Sequence, residues 1–397
     1  MSRIRLSKRM ERFQPSIFNE LVEYKKKKLR DGVDMIDLSI GSPDLPPSPL
    51  VKSVLSDLTK DDTQYGYTLT GIQPFFDAVS QYYHRKYQID VDPKSEVLLS
   101  MGSQDALVHI PMVFADPDDY ILVPDPGYTA YATGIAMAGA IPYFMPLLKE
   151  NQFLPDLSLI PEEVAHKASL MILNYPGNPI PAMASKDFFE EVIQFARTYN
   201  IIVVHDFAYG EFYFDGQQPI SFLSIPGAKD VGIEVNSLSK SFSLAGCRIG
   251  YVVGNADIIQ AILRLKSNLD YGVFLPIQQA AIEALLHGDE FCENTRQIYQ
   301  ERRDIFVQGL HSLGWHVDSP QGGMFVWAKV PTGWNTMEFV YALMDKAHVV
   351  VTPGHAFGPT GDGYVRIALV QPKERLQQAV ENIKASRLLQ EPLLLDR

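Results

Sequence analysis

Between residues 96 and 253 the chain alternates short apolar runs with amphipathic stretches, which predicts a mostly parallel sheet covered by helices, an α/β architecture. The predicted strands are 96–101, 120–123, 141–145, 170–174, 201–206, 231–236 and 249–253, and the predicted helices include 104–114, 186–199 and 256–267. Ligands of such sheets sit at the carboxyl ends of the strands, where most of this segment's notable polar residues fall. The pattern changes after about His287. A long charged helix over 289–313 is followed by short strands at 315–318, 324–328, 349–352 and 363–368 and a last helix over 373–388, an α+β segment. Near the N-terminus Phe18, Leu21, Val22 and Leu29 recur at helical spacing.

Composition narrows the class. At 397 residues, two domains are the expectation. A formal charge of −12 argues against a nucleic-acid partner, and the single basic run, Lys25 to Lys28, reads as the solvated face of that early helix. The two cysteines, Cys247 and Cys292, form no disulfide framework and match no zinc spacing, so no metal is expected and both are predicted to be reduced thiols of a cytoplasmic protein. The first twelve residues carry charge without the apolar core of a signal peptide, and no stretch approaches the roughly 20 apolar residues of a membrane span.

The chemistry concentrates in residues 237–250, Ser-Leu-Ser-Lys-Ser-Phe-Ser-Leu-Ala-Gly-Cys-Arg-Ile-Gly. Most lysines are solvated surface charges, but Lys240 follows a mostly apolar predicted strand. Burial and a neighbouring cation lower a lysine's pKa and ready it to form a Schiff base with a carbonyl compound. Arg248 supplies such a cation, and its planar fork suits a phosphate that Ser237 and Ser239 also reach. Asp206 ends another apolar run, where an ionised carboxylate is costly unless paired; a helix N-cap is its plainer role. Gly102-Ser103-Gln104 has the form of a glycine turn opening a helix, whose free N–H groups favour phosphate. Further segments are Tyr65-Gly-Tyr67-Thr-Leu-Thr-Gly71, Pro124-Asp-Pro-Gly-Tyr128, the proline-rich Tyr175-Pro-Gly-Asn178-Pro-Ile-Pro-Ala, Leu38-Ser-Ile-Gly41 and Gly363-Tyr-Val-Arg366.

Taken in order from about Leu38 to Arg366, these segments resemble the class I/II aminotransferases, pyridoxal-phosphate enzymes of fold type I. The resemblance extends to the branch of the methionine and LL-diaminopimelate aminotransferases. It implies a large domain over 51–286 and a small domain from 1–50 and 287–397. It implies pyridoxal 5'-phosphate held by Lys240, with its phosphate on Gly102, Ser103, Gln104, Ser237, Ser239 and Arg248. Asp206 then holds the ring nitrogen, Tyr209 and Asn178 the ring oxygen, and Tyr128 stacks on the ring. Gly41, Asn178 and Arg366 bind the substrate carboxylate. Tyr65, or alternatively Tyr67, reaches the phosphate of the second subunit in a homodimer with shared sites. Ile180 and Pro181 depart from the usual Thr-Gly after Asn-Pro, and Cys247 stands where the family commonly has tryptophan.

The reaction so implied is amino transfer by a ping-pong mechanism between an L-amino acid and a 2-oxo acid, with Lys240 as general base. The aromatic lip of Tyr65, Tyr271 and Phe274 points to apolar, aromatic or sulfur-containing side chains. The same residues also suit a C–S β-lyase, and a non-catalytic pyridoxal-phosphate-binding regulator is a third reading, although the basic DNA-binding extension of such regulators is not seen.

Overall fold

The structure, a computed structural model, describes residues 4–13 and 17–390. Within them lie twelve strands: β1 (Ile36–Asp37), β2 (Val97–Ser100), β3 (Tyr120–Asp125), β4 (Ile141–Pro146), β5 (Ala168–Asn174), β6 (Ile202–Asp206), β7 (Gly232–Ser237), β8 (Gly250–Gly254), β9 (Phe325–Lys329), β10 (Val349–Val350), β11 (Thr352–Pro353) and β12 (Tyr364–Ala368).

Seven strands form the large sheet in the order β2-β8-β7-β6-β5-β3-β4, parallel except that β8 runs antiparallel to both its neighbours. Successive side chains of a strand point to opposite faces, and both faces here are covered. Leu170 and Ile172 join the core under helices Ser103–Phe114, Thr129–Ala138 and Ala256–Lys266. Met171 and Leu173 join the core under Gln73–Tyr87, Lys186–Tyr199 and Leu275–His287. That two-sided burial explains why these strands read as near-continuous apolar runs.

The second set of elements surrounds another apolar core. There β1 pairs with β10 in parallel, and β11-β12-β9 form an antiparallel sheet. Helices Asp289–Ser312 and Lys373–Ser386 pack on it through residues such as Phe306, Leu310, Leu376 and Ile383. Two sequence expectations are corrected. Residues 315–318 form no strand: Trp315 and Val317 are buried as packing side chains, and the Trp315 indole N–H donates to the Lys329 carbonyl at 2.7 Å. The 349–352 strand is divided, because the chain passes from one small sheet at Val350 to the other at Thr352. Among the described residues no helix is long and apolar enough to cross a membrane.

The register sets the site. Asn174 and Asp206 are cross-strand partners where β5 and β6 end, and Ser100, Gly250 and Ser237 make a row across β2, β8 and β7. Polar side chains from different parts of the sequence therefore meet at one edge of the sheet, as parallel α/β topology dictates.

Candidate active site

At the Ser237 end of this row an anion cup takes shape. Gly102 has φ +84 and opens helix Ser103–Phe114, and a Cβ on it would fall 2.5 Å from Arg248 Nη2. Only glycine lets the guanidinium lie against the turn. Arg248 donates to the carbonyls of Ala245 at 3.1 Å and Met101 at 3.3 Å. It has no carboxylate partner among the described residues, so its charge faces the helix's free N–H groups unneutralised. The Ser239 N–H donates to Ser237 Oγ at 3.1 Å, leaving the Ser237 hydroxyl hydrogen free, and Ser100 Oγ in the same row is buried with no partner. Gln104 is exposed beside the cup and its amide oxygen accepts the Tyr128 hydroxyl at 3.1 Å.

Lys240 lies in a short helical turn, Leu238–Ser241, directly after β7. Its Nζ donates to the Gly41 carbonyl at 2.5 Å. Desolvation, reinforced by the charges of Arg366 and Arg248, pulls the ammonium down to about 8, although Asp206 opposes the shift. Asp206 is buried with no cation in contact: Tyr131 donates its hydroxyl to Oδ2 at 2.8 Å and the Ala208 N–H reaches Oδ1 at 3.2 Å. Burial raises its carboxyl above the ordinary range even against these donors. It forms no helix N-cap, since β6 runs into a turn.

Arg366, on β12, is buried among the described residues without a carboxylate. Nη1 donates to Asn178 Oδ1 at 2.7 Å, Nη2 donates to the Ser39 carbonyl, and Nε has no partner. The guanidinium lies 4.4 Å from the Phe325 ring and 4.7 Å from the Phe357 ring. Burial lowers its pKa to about 10, the mark of a cation held dry for an anion not supplied by the protein. Gly41 packs so closely that a Cβ would meet Phe325 at 2.5 Å.

A cavity of about 240 Å³ is lined by Gly41, Ser103, Tyr128, Asn178, Asp206 and Arg366, with Tyr209 and Lys240, whereas Gly102, Gln104, Ser237, Ser239 and Arg248 of the cup are not among its walls. Sequence reasoning missed Tyr131 and Asn174. The Asn174 amide donates to the Asp206 carbonyl at 2.7 Å, and its oxygen accepts the Asn178 N–H at 2.8 Å, so it aligns both neighbours. Its place at the end of β5 was the available signal. Tyr65 and Tyr67 stay outside: Tyr65 packs on Phe274 and donates to the Thr59 carbonyl at 2.8 Å, and Tyr67 packs on Tyr271.

A mostly parallel sheet carrying a low-pKa lysine, a buried acid without a cation among the described residues and an anion cup at one edge fits a fold type I pyridoxal-phosphate enzyme, the class the comparisons show. Residues 33–383 match the family Aminotransferase class I and II. The LL-diaminopimelate aminotransferase of Moorella thermoacetica is 44% identical over 379 residues, covering 95% of this chain and 97% of that protein. The substrate-bound BacF structure from Bacillus subtilis superposes with a TM-score of 0.93 at 39% identity, covering 96% of this chain and 98% of that one. An aminotransferase structure from Staphylococcus aureus gives 0.89 at 32% identity, covering 97% and 99%. The chain belongs to the class I and II aminotransferases and is a pyridoxal-phosphate-dependent transaminase acting on small amino and oxo acids.

Proposed function

We propose that the enzyme takes its amino group from an L-amino acid with an apolar, aromatic or sulfur-containing side chain and passes it to a 2-oxo acid by a ping-pong sequence, with Lys240 as proton carrier. The observation that carries this is that Lys240 lines one cavity with Asp206, Asn178 and Arg366, where desolvation and the charges of Arg366 and Arg248 lower its pKa to about 8. Bound pyridoxal phosphate supplies an aldehyde carbon and an electron-accepting ring. Gly102, Ser103, Gln104, Ser237, Ser239 and Arg248 would hold its phosphate, Asp206 its ring nitrogen, and Tyr128, Asn178 and Tyr209 its ring. Arg366 and Asn178, with Gly41 beside them, orient the substrate carboxylate, which fixes the Cα–H toward one face. The neutral Lys240 amine then accepts the Cα proton and hands it back later in the same half-reaction.

Side-chain preference is supported by the cavity walls. Phe18, Ile40, Tyr128 and Phe357 are apolar or aromatic, and among the described residues the cations lining the cavity are Lys240 and Arg366, both engaged in the roles above, which leaves no further lining cation among them for a distal carboxylate. A second reading, LL-diaminopimelate as donor, is favoured by the names of relatives 41–44% identical. Half-reactions decide between them: cofactor bleaching should be faster with L-phenylalanine or L-methionine than with LL-diaminopimelate, and the reverse order sinks the apolar preference.

The homodimer belongs to the same proposal. Tyr65 is exposed and outside its own cavity, consistent with service to a second copy. The large and small domains over 51–286 and over 1–50 with 287–397 are proposed on the two sets of elements, within the described residues. Cys247 and Cys292 are both free, in keeping with a cytoplasmic enzyme.

A further inference from the structure

Asp125, the last residue of β3, is buried, and among the described residues no cation pairs with it. Each of its carboxylate oxygens lies 3.3 Å from the Thr360 N–H, and the Thr360 hydroxyl donates to the Asp125 carbonyl at 2.6 Å. Two residues on, the Gly127 N–H donates to the Phe357 carbonyl at 2.9 Å. Gly358, at φ +141, lies so close that a Cβ on it would fall 2.0 Å from Asp125 Oδ1. The 354–361 loop is thus tied at several points to the segment that carries Tyr128.

Phe357 is the consequence of that tie. Its ring lies 4.7 Å from the Arg366 guanidinium, which also sits 4.4 Å from the Phe325 ring. Phe325 belongs to a strand and is fixed by its own ladder, by Gly41 and by an edge contact with Tyr209 at 5.7 Å. Phe357 has no ladder: its ring packs edge-on against Phe18 at 5.8 Å and Trp327 at 6.5 Å, and the bonds to Asp125 and Gly127 tie down the backbone of its loop. An unpaired buried carboxyl lowers stability, and a neutral residue would pack there at smaller cost.

We propose that Asp125 is a positioning residue for the substrate carboxylate, acting through Thr360 and the 354–361 loop to seat Phe357 over Arg366. This rests on the reading of Arg366 as a carboxylate clamp. The ring keeps water from one face of the guanidinium, so the incoming carboxylate meets a drier and stronger partner.

The test uses holoenzyme and two probes that cannot react, 3-phenylpropionate and its neutral amide, with binding read from the cofactor absorbance. Asp125→Ala should weaken 3-phenylpropionate roughly tenfold, the scale of one desolvated cation–ring contact. It should leave the amide and cofactor retention unchanged. Phe357→Ala, which also removes a cavity wall, should weaken both probes but the acid clearly more than the amide, and the double variant should bind the acid no more weakly than Phe357→Ala alone, since the two act in series. Asp125→Asn, which leaves one of the two side-chain oxygens to accept the Thr360 N–H, should reproduce part of the loss and serves if Asp125→Ala does not fold. Additive losses, or equal losses for acid and amide, overturn the proposal. A wild-type holoenzyme that ignores 3-phenylpropionate overturns the clamp itself, a distinct result.

Discussion

Lys240 holds its proton weakly because it is desolvated between two arginines, with Asp206 giving back only part of the loss. The neutral amine is the form that attacks an aldehyde, and its fraction grows as pH rises through about 8 rather than through the ordinary 10.5. Apoenzyme should therefore capture pyridoxal phosphate faster as pH is raised, with the rate levelling above about 8; stopped-flow absorbance checks this, and a rise continuing toward 10.5 contradicts it. Arg366 is the complementary case, a buried cation without an acid. Arg366→Leu should raise KM for the amino acid about a hundredfold, equivalent to about 2.7 kcal/mol, with little change in cofactor affinity. Cys247 is half-buried next to Arg248, at the position where the family resemblance read from the sequence leads to an expectation of tryptophan. Its small side chain supports the arginine poorly, so Cys247→Trp should tighten cofactor retention in dialysis, and unchanged retention would count against that packing argument.

At the scale of the element, helix Ser103–Phe114 begins against Arg248, because its first turn and the guanidinium share a glycine's missing side chain. Gly102→Ala would strain a residue at φ +84 and push its methyl into the guanidinium. Pyridoxal-phosphate affinity should fall about tenfold or more, since part of a charge-assisted phosphate contact is lost, while Arg366-dependent carboxylate binding stays intact. Equilibrium dialysis of the apoenzyme measures it. This glycine also shows what the sequence made legible. Local signals, such as a glycine turn before a helix or an acid ending an apolar run, singled out Gly102, Asp206 and Lys240 as candidates, and the resemblance to a known family, not those signals alone, supplied the roles proposed for them. Tyr131, Asn174 and Phe357 were not legible, since their roles exist only once β3, β5 and the 354–361 loop meet. The missed division at Val350 and Thr352 has the same origin: an apolar run of four does not say which of two sheets each residue joins.

The whole molecule poses a problem that one chain does not solve. Tyr65, Tyr67, Leu69, Leu269 and Tyr271 are all exposed, and such a cluster of large apolar side chains in water is unfavourable unless another surface covers it. Two-fold pairing of identical chains would cover it and would present each Tyr65 to the other copy's site. Mixing two inactive variants tests both claims together. A Lys240→Ala protomer lacks the amine but keeps Tyr65; a Tyr65→Ala protomer keeps the amine but lacks the hydroxyl and ring. In a mixed dimer with shared sites, one site has both defects and the other has neither. Random re-pairing makes half the molecules mixed, so about one quarter of wild-type activity should return on unfolding and refolding an equal mixture. If Tyr65 instead serves its own chain, every site keeps at least one defect, and the mixture stays at the mean of its parents. Sedimentation of the same sample supplies the control: a fully active monomer removes the shared site, whereas a dimer without recovered activity leaves the pairing intact and reassigns the tyrosine.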